Sequence, residues 1–175
     1  CSDRWRESRI QGKIDCASQR RSFACNGQCV SLLLRTHVPR IMIYVHIPFC
    51  KSRCLYCDFF SSTSHSLKQE YLFSLREEIS ARSEEIKRAR VNSIYIGGGT
   101  PSQLPVEYLQ SIFHSIEQVT PIEEGAEVTI ECNPDDITEE FLQGLSLTPV
   151  NRVSLGVQTM NDELLSLLHR RHKSA

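Results

Sequence analysis

No stretch of the 175-residue chain stays apolar for more than a few residues, which excludes a helix able to span a bilayer. Nor does the chain carry a strong excess of either charge. Its 20 Lys and Arg stand against 21 Asp and Glu, a net charge of −1, so bulk positive charge does not hold it to nucleic acid. It does not begin with methionine. With 40% hydrophobic and 23% charged residues, the composition is globular rather than disordered or fibrous, and the length suits one ordinary domain. Cysteine, by contrast, is plentiful, with eight in the chain.

Two unlike pieces make up the sequence. Residues 1–41 hold eight Lys and Arg against three Asp and Glu, with Cys1, Cys16, Cys25 and Cys29. Residues 42–175 hold 12 against 18, with Cys50, Cys54, Cys57 and Cys132. The first piece shows no sustained period of two or 3.6, while the second shows both in alternation. A boundary near Met42 is expected, with 1–41 a disordered or non-native extension. The alternative is an organelle transit leader, against which Asp3, Glu7 and Asp15 speak. Cys25-Asn-Gly-Gln-Cys29 is half of a metal-site spacing without a partnering pair nearby.

After Met42, strand and helix alternate four times. Ile43–Ile47 is a β-branched and aromatic run stopped by Pro48. Ser66 and Gln69 have the spacing of a capping box for a helix that buries Leu67, Tyr71, Leu75 and Ile79 and fades near Arg90. Strand 91–96 ends in three glycines, and Pro105 opens a second helix with Leu109, Ile112, Phe113 and Ile116 as its buried stripe. Strand 127–131 leads to a helix capped by Thr138 and running through Leu145. Strand 153–157 leads to one capped by Asn161, with His169 to Lys173 expected in its last turn. Such alternation is the signature of α/β repeats with parallel strands. Four units match the first half of a (β/α) barrel, for which eight take ~250 residues, so a truncated TIM-type barrel portion is expected over 42–175.

The unusual residues fall at carboxyl ends of these strands, the rim on which barrel enzymes gather their sites. Cys50, Cys54 and Cys57 form C-x3-C-x2-C, three thiols within eight residues. Intervals so short strain a disulfide, and structural zinc takes four ligands. Three thiolates on a cubane of four irons leave one iron open for chemistry. Gly97-Gly98-Gly99-Thr100 offers a backbone that a ligand can approach closely. Glu131 ends the third strand and Gln158 the fourth. Together these read as one cofactor pocket. Tyr44 and His46 share a face of the first strand, while Cys132 should face the opposite side from Glu131 as a small buried hydrophobe.

C-x3-C-x2-C before a glycine-rich strand end resembles the radical S-adenosylmethionine superfamily. The fuller strings Tyr44-Val-His-Ile-Pro-Phe-Cys50, Tyr95-Ile-Gly-Gly-Gly-Thr-Pro-Ser102, Glu131-Cys-Asn-Pro134 and Arg152-Val-Ser-Leu-Gly-Val-Gln158 resemble the oxygen-independent coproporphyrinogen III oxidase family. The resemblance implies that Cys50, Cys54 and Cys57 ligate a [4Fe–4S] cluster. It assigns Tyr44, Gly98, Gly99, Thr100, Glu131, Gln158 and Arg170 to S-adenosylmethionine and puts Tyr56 beside the cluster. No residue receives a catalytic role. The implied chemistry is electron transfer into the sulfonium, releasing methionine and a 5′-deoxyadenosyl radical.

Two branches of that family separate at the cysteine loop. The oxidase carries a fourth cysteine where this chain has Phe59, and the string Cys57-Asp-Phe59 resembles the haem chaperone branch, which binds haem for delivery. The haem carrier is therefore favoured, with a tetrapyrrole oxidase and an inert truncated product as alternatives. The resemblance also implies an electron donor of the reduced flavodoxin or ferredoxin type. An exposed cluster loop needs a reducing compartment, so a cytoplasmic location is expected, or an organelle matrix if the leader is a transit peptide.

Overall fold

The computed structural model describes residues 38–174, so the expectations for the cysteines and leader of 1–37 lie outside the described residues. Four parallel strands lie in the order β1-β2-β3-β4: β1 Arg40–Ile47, β2 Arg90–Gly98, β3 Ile122–Cys132 and β4 Arg152–Leu155. Helices α1 (Lys68–Ala81) and α2 (Ser83–Lys87) join the first two strands, α3 (Val106–Glu117) the next pair, and α4 (Glu139–Leu145) the last. Helix α5, Asp162–Leu167, follows β4. The parallel α/β expectation holds.

Period-two alternation decides what each face of the sheet carries. Val45 and Ile47 of β1, Ile94 and Ile96 of β2, and Val128 and Ile130 of β3 are almost fully buried. They form one core with Leu109, Ile112, Phe113 and Ile116 of α3, Ile79, Ile86, Phe141 and Leu145. Each such side chain contributes about 1.5–3 kcal/mol by leaving water. The opposite face is polar. Register pairs Tyr44 with Tyr95 and then Thr129, and Glu131 with Ser154. A face lined this way is suited to a ligand rather than to the branched apolar layers of a filled barrel.

Several boundaries differ from those expected. β1 begins at Arg40, ahead of Met42, because the Arg90 N–H donates to the Pro39 carbonyl and fixes the chain that early. Ser66 does not cap α1: Leu67 occupies the N-cap, and the Ser66 hydroxyl is bonded to that of Ser64 at 2.9 Å. The helix breaks at Arg82 into α1 and α2. β4 stops at Leu155, because Val157 N–H folds back on the Leu155 carbonyl and Thr159 N–H on the Val157 carbonyl. The largest difference is at α5, which ends at Leu167 and leaves His169 to Lys173 beyond it. Thr138 and Asn161 cap α4 and α5 as expected, accepting from the Phe141 and Leu164 N–H groups.

Candidate functional site

The carboxyl end of β1 runs straight into the cysteine loop, which is tied at both ends. Cys50 N–H donates to the Ser62 carbonyl at 2.9 Å and Ser62 N–H to the Pro48 carbonyl at 2.7 Å. Two histidines hold it from below: His46 Nε2 bonds the Phe60 carbonyl at 2.9 Å and His65 Nε2 the Cys50 carbonyl at 3.2 Å. Leu55 N–H reaches the Leu168 carbonyl at the end of α5. Cys50, Cys54 and Cys57 are all free thiols.

The glycines at the end of β2 lie hard against this loop. Gly99 N–H donates to the Ile47 carbonyl at 2.7 Å, and Thr100 N–H to the Phe49 carbonyl at 2.8 Å. A Cβ on Gly99 would stand 2.9 Å from Cys50 Sγ and 2.9 Å from the Phe49 carbonyl oxygen. Gly98 adopts φ +112, and a Cβ there would strike the His46 ring at 2.7 Å, so only glycine suits the position. The Thr100 hydroxyl points to Cys50 Sγ at 3.5 Å.

Glu131 is held rather than loose. Tyr95 OH donates to it at 2.7 Å and Gly98 N–H at 3.1 Å, leaving carboxylate lone pairs for a ligand's donors. The Tyr95 phenol is pushed above its ordinary pKa by this hydrogen bond, then by burial and the Glu131 charge. Cys132, on the far face, is 4% exposed within the core, and burial pushes its thiol up to about 12. Gln158 sits at φ 66 in the middle of the second of the two backbone turns that end β4, a conformation costly for a residue with a Cβ.

Past α5, His169 at φ 57 forms a left-handed cap: its N–H donates to Ser166 and that of Arg170 to Leu165. The cap turns Arg170 back over the cysteine loop. Its Nη1 donates to Cys54 Sγ at 3.3 Å and to Tyr56 OH at 3.5 Å, and its Nη2 to Asn133 Oδ1 at 2.7 Å and to the Gly156 carbonyl. Arg171 turns the other way, onto Asp135 at 3.6 Å and Asp136 at 3.0 Å. Burial works to raise the Asp136 pKa, but hydrogen bonds from Ser102, Gln103 and Arg171 outweigh it and hold the carboxyl below its usual range.

A cavity of about 420 Å³ results, lined by the three cysteines, Tyr56, Gly98, Gly99, Thr100, Glu131, Gln158 and Arg170. It falls in the size range of small-molecule sites. Tyr44 does not line it. That side chain lies below the strand end, stacked on Tyr95 at 6.1 Å and bonded to His46 Nδ1 at 3.2 Å. Among the described residues, no three His, Cys, Asp or Glu side chains converge on a single ion. A cubane takes each thiolate on a different iron and needs no such convergence. Arg170 lines the cavity, and its buried Nε has no hydrogen-bond partner, an unmet donor of the kind that calls for an explanation. The residues present fit a cluster with a small polar cofactor beside it.

Sequence reasoning missed Tyr95, Asn133 and the Ser102–Asp136–Arg171 group. Tyr95 had a readable signal, since it lies two residues before Gly97 and so shares the face that ends at the pocket. The others depend on how loops meet and left no periodic trace.

Residues 44–175 match the radical SAM superfamily. The chain is 37% identical over 135 residues to the heme chaperone HemW of Buchnera aphidicola subsp. Schizaphis graminum, covering 76% of this chain and 36% of that protein. Against the heme chaperone HemW of Lactococcus lactis subsp. lactis it is 43% identical, covering 74% and 33%. The solved structure of coproporphyrinogen III oxidase (HemN) from Escherichia coli, described as a radical SAM enzyme, superimposes with a TM-score of 0.71 at 31% identity. That match covers 77% of this chain and 31% of that one. The chain thus spans about a third of the length of the curated relatives it matches.

Proposed function

Because the chain belongs to the radical SAM superfamily, a membership that implies a [4Fe–4S] cluster and S-adenosylmethionine, we propose that residues 42–175 are the cluster- and cofactor-binding portion of a haem carrier similar to HemW. Cys50, Cys54 and Cys57 hold the cluster. Gly98, Gly99, Thr100, Glu131, Gln158 and Arg170 receive the cofactor, with Tyr56 beside the cluster and Tyr44 supporting the sheet face beneath. The observation that carries this reading is the single cavity shared by the three free thiols, the glycine wall, Glu131 and Arg170.

When bound, the cluster supplies one-electron reduction of the cofactor's sulfonium. The protein's own part is to hold and orient. Glu131, fixed by Tyr95 and Gly98, accepts from hydroxyl or amino donors of the cofactor. The backbone at Gly98 and Gly99 admits the cofactor's amino-acid end, and the loop ties of His46 and His65 keep the thiols in register. Haem as cargo is supported by the similarity to HemW relatives, and Phe59 in place of a fourth cysteine agrees with it. Reduced flavodoxin or ferredoxin would serve as electron donor, in a reducing compartment such as the cytoplasm.

Anaerobic reconstitution of the chain with iron and sulfide, followed by electron paramagnetic resonance with and without S-adenosylmethionine, tests the reading. A reduced [4Fe–4S] signal that changes when the cofactor is added is expected, and Cys54→Ala should abolish it because two thiolates do not retain the cubane. Four irons per chain in Cys54→Ala would overturn the ligand assignment.

A further inference from the structure

The adjacent arginines beyond α5 are treated oppositely by the fold. Arg171 is neutralised by two carboxylates, Asp135 and Asp136, and Asp136 is itself fixed by Ser102 at 2.7 Å and by Gln103. Among the described residues no carboxylate pairs with Arg170. Its acceptors are the Asn133 amide oxygen, the Gly156 carbonyl, the Tyr56 phenol and Cys54 sulfur, and its Nε has no partner. A half-buried guanidinium with no carboxylate partner carries an unbalanced positive charge. The group on which that charge falls is the Cys54 sulfur, 3.3 Å away.

We propose that Arg170 and Arg171 form a two-part device: Arg171, anchored on Asp135 and Asp136, holds Arg170 as an N–H donor to the Cys54 sulfur and so raises the reduction potential of the cluster. The inference rests on the proposed cluster-binding reading and adds to it a determinant of redox poise. Positive charge and N–H···S bonds stabilise the more negative, reduced form of a cluster. Both effects act here through one side chain. Arg171 borders the cavity, but its polar partners are Asp135 and Asp136 rather than the cysteines or Glu131, so it acts as a positioning residue. Its lever is short, because His169 at φ 57 reverses the chain immediately before the pair, and fixing Arg171 leaves Arg170 little freedom to swing away.

Potentiometric titration of the reconstituted full 175-residue chain, without S-adenosylmethionine, tests this separately from any cofactor contact. Arg170→Gln should make the midpoint more negative, with the reduction equilibrium constant falling about tenfold, ~59 mV for a one-electron couple. Arg170→Lys keeps the charge but cannot reproduce the fork, and should lie between Arg170→Gln and the unaltered chain. Arg171→Leu should shift the midpoint in the same direction, and Arg171→Lys should restore it, a rescue that a purely structural loss would not show in the potential. An unchanged midpoint in both Arg170 variants overturns the tuning role. A shift in Arg170→Gln without one in Arg171→Leu overturns the positioning role. If Arg170→Gln does not hold four irons, the comparison of Arg170→Lys with the unaltered chain decides. Failure of the unaltered chain to take up a cluster would instead sink the cluster-binding reading itself.

Discussion

Gly99 looks from its motif like a surface kept bare for a ligand, yet its nearest obstacles belong to the protein. With Cys50 Sγ and the Phe49 carbonyl both 2.9 Å from a Cβ placed there, and the Ile47 carbonyl at 3.0 Å, even Gly99→Ala pushes on the backbone that presents the first cysteine. That variant is expected to lose iron on reconstitution as well as cofactor affinity. A full complement of four irons with only the cofactor lost would show that the glycine serves the ligand alone. Cys132 gives a second residue-scale consequence. Its thiol is raised from 9.0 to about 12 in the folded chain, chiefly by burial. The unfolded chain therefore ionises first, and the stabilisation is complete below pH 9 and lost as pH climbs toward 12. Cys132→Val, close in volume, should flatten the fall of Tm between pH 9 and 11 relative to the unaltered chain. Parallel melting curves for the two across that range would refute it. Tyr71, raised by burial from 10.0 to about 12, contributes an alkaline decline common to both proteins and cancels in the comparison.

At the scale of elements, the sequence was most legible where one principle acts alone. Thr138 and Asn161 stand three residues before the N–H groups they cap, and the stripe Leu109, Ile112, Phe113, Ile116 needs only the helical period. Legibility failed where two local solutions compete. Ser66 has the spacing of a cap, but its hydroxyl finds Ser64 first. The basic run His169 to Lys173 suits the negative end of a helix dipole, but His169 leaves the helix for the left-handed region and the run becomes part of the site. For that reason only the family resemblance, and not the residue pattern, points to Arg170 as part of the site. The cap is also testable. An exposed non-glycine residue at φ 57 costs about 1 kcal/mol of backbone strain, so His169→Gly should raise the chain's stability by up to ~1 kcal/mol, less the entropy that glycine loses on folding. His169→Ala keeps the strain and should give no gain. Equal Tm values for the Gly and Ala variants would mean that the turn is not strained.

At the scale of the whole molecule, the four strands make a sheet with a covered face, a polar face and two outer edges. Three strands are sealed on the covered side by α1 to α4, and there the inward residues are nearly inaccessible. β4 is different. Val153 and Leu155 point to the same side as the buried Ile130 and Cys132 that they pair with, yet they remain 40% and 49% exposed. Among the described residues nothing pairs with the outer edge of β4, and Met160, Leu164 and Leu167 add exposed apolar surface just after it. An uncovered edge with apolar side chains is a template for pairing with another chain, and exposed apolar surface of this kind drives association. The 175-residue chain should therefore self-associate as its concentration rises, through β4. In sedimentation velocity over a tenfold concentration range, the sedimentation coefficient of the unaltered chain should increase. The double variant Val153→Lys, Leu155→Lys, which places charge on the edge, should stay monomeric across the same range. An unaltered chain that is monomeric throughout would remove the edge as the cause, and so would a double variant that associates as strongly. Val153 lies on the side of the sheet away from Glu131 and Ser154, whereas Leu155 also borders the cavity. Monomeric behaviour with unchanged cluster incorporation in Val153→Lys alone therefore separates loss of association from loss of fold.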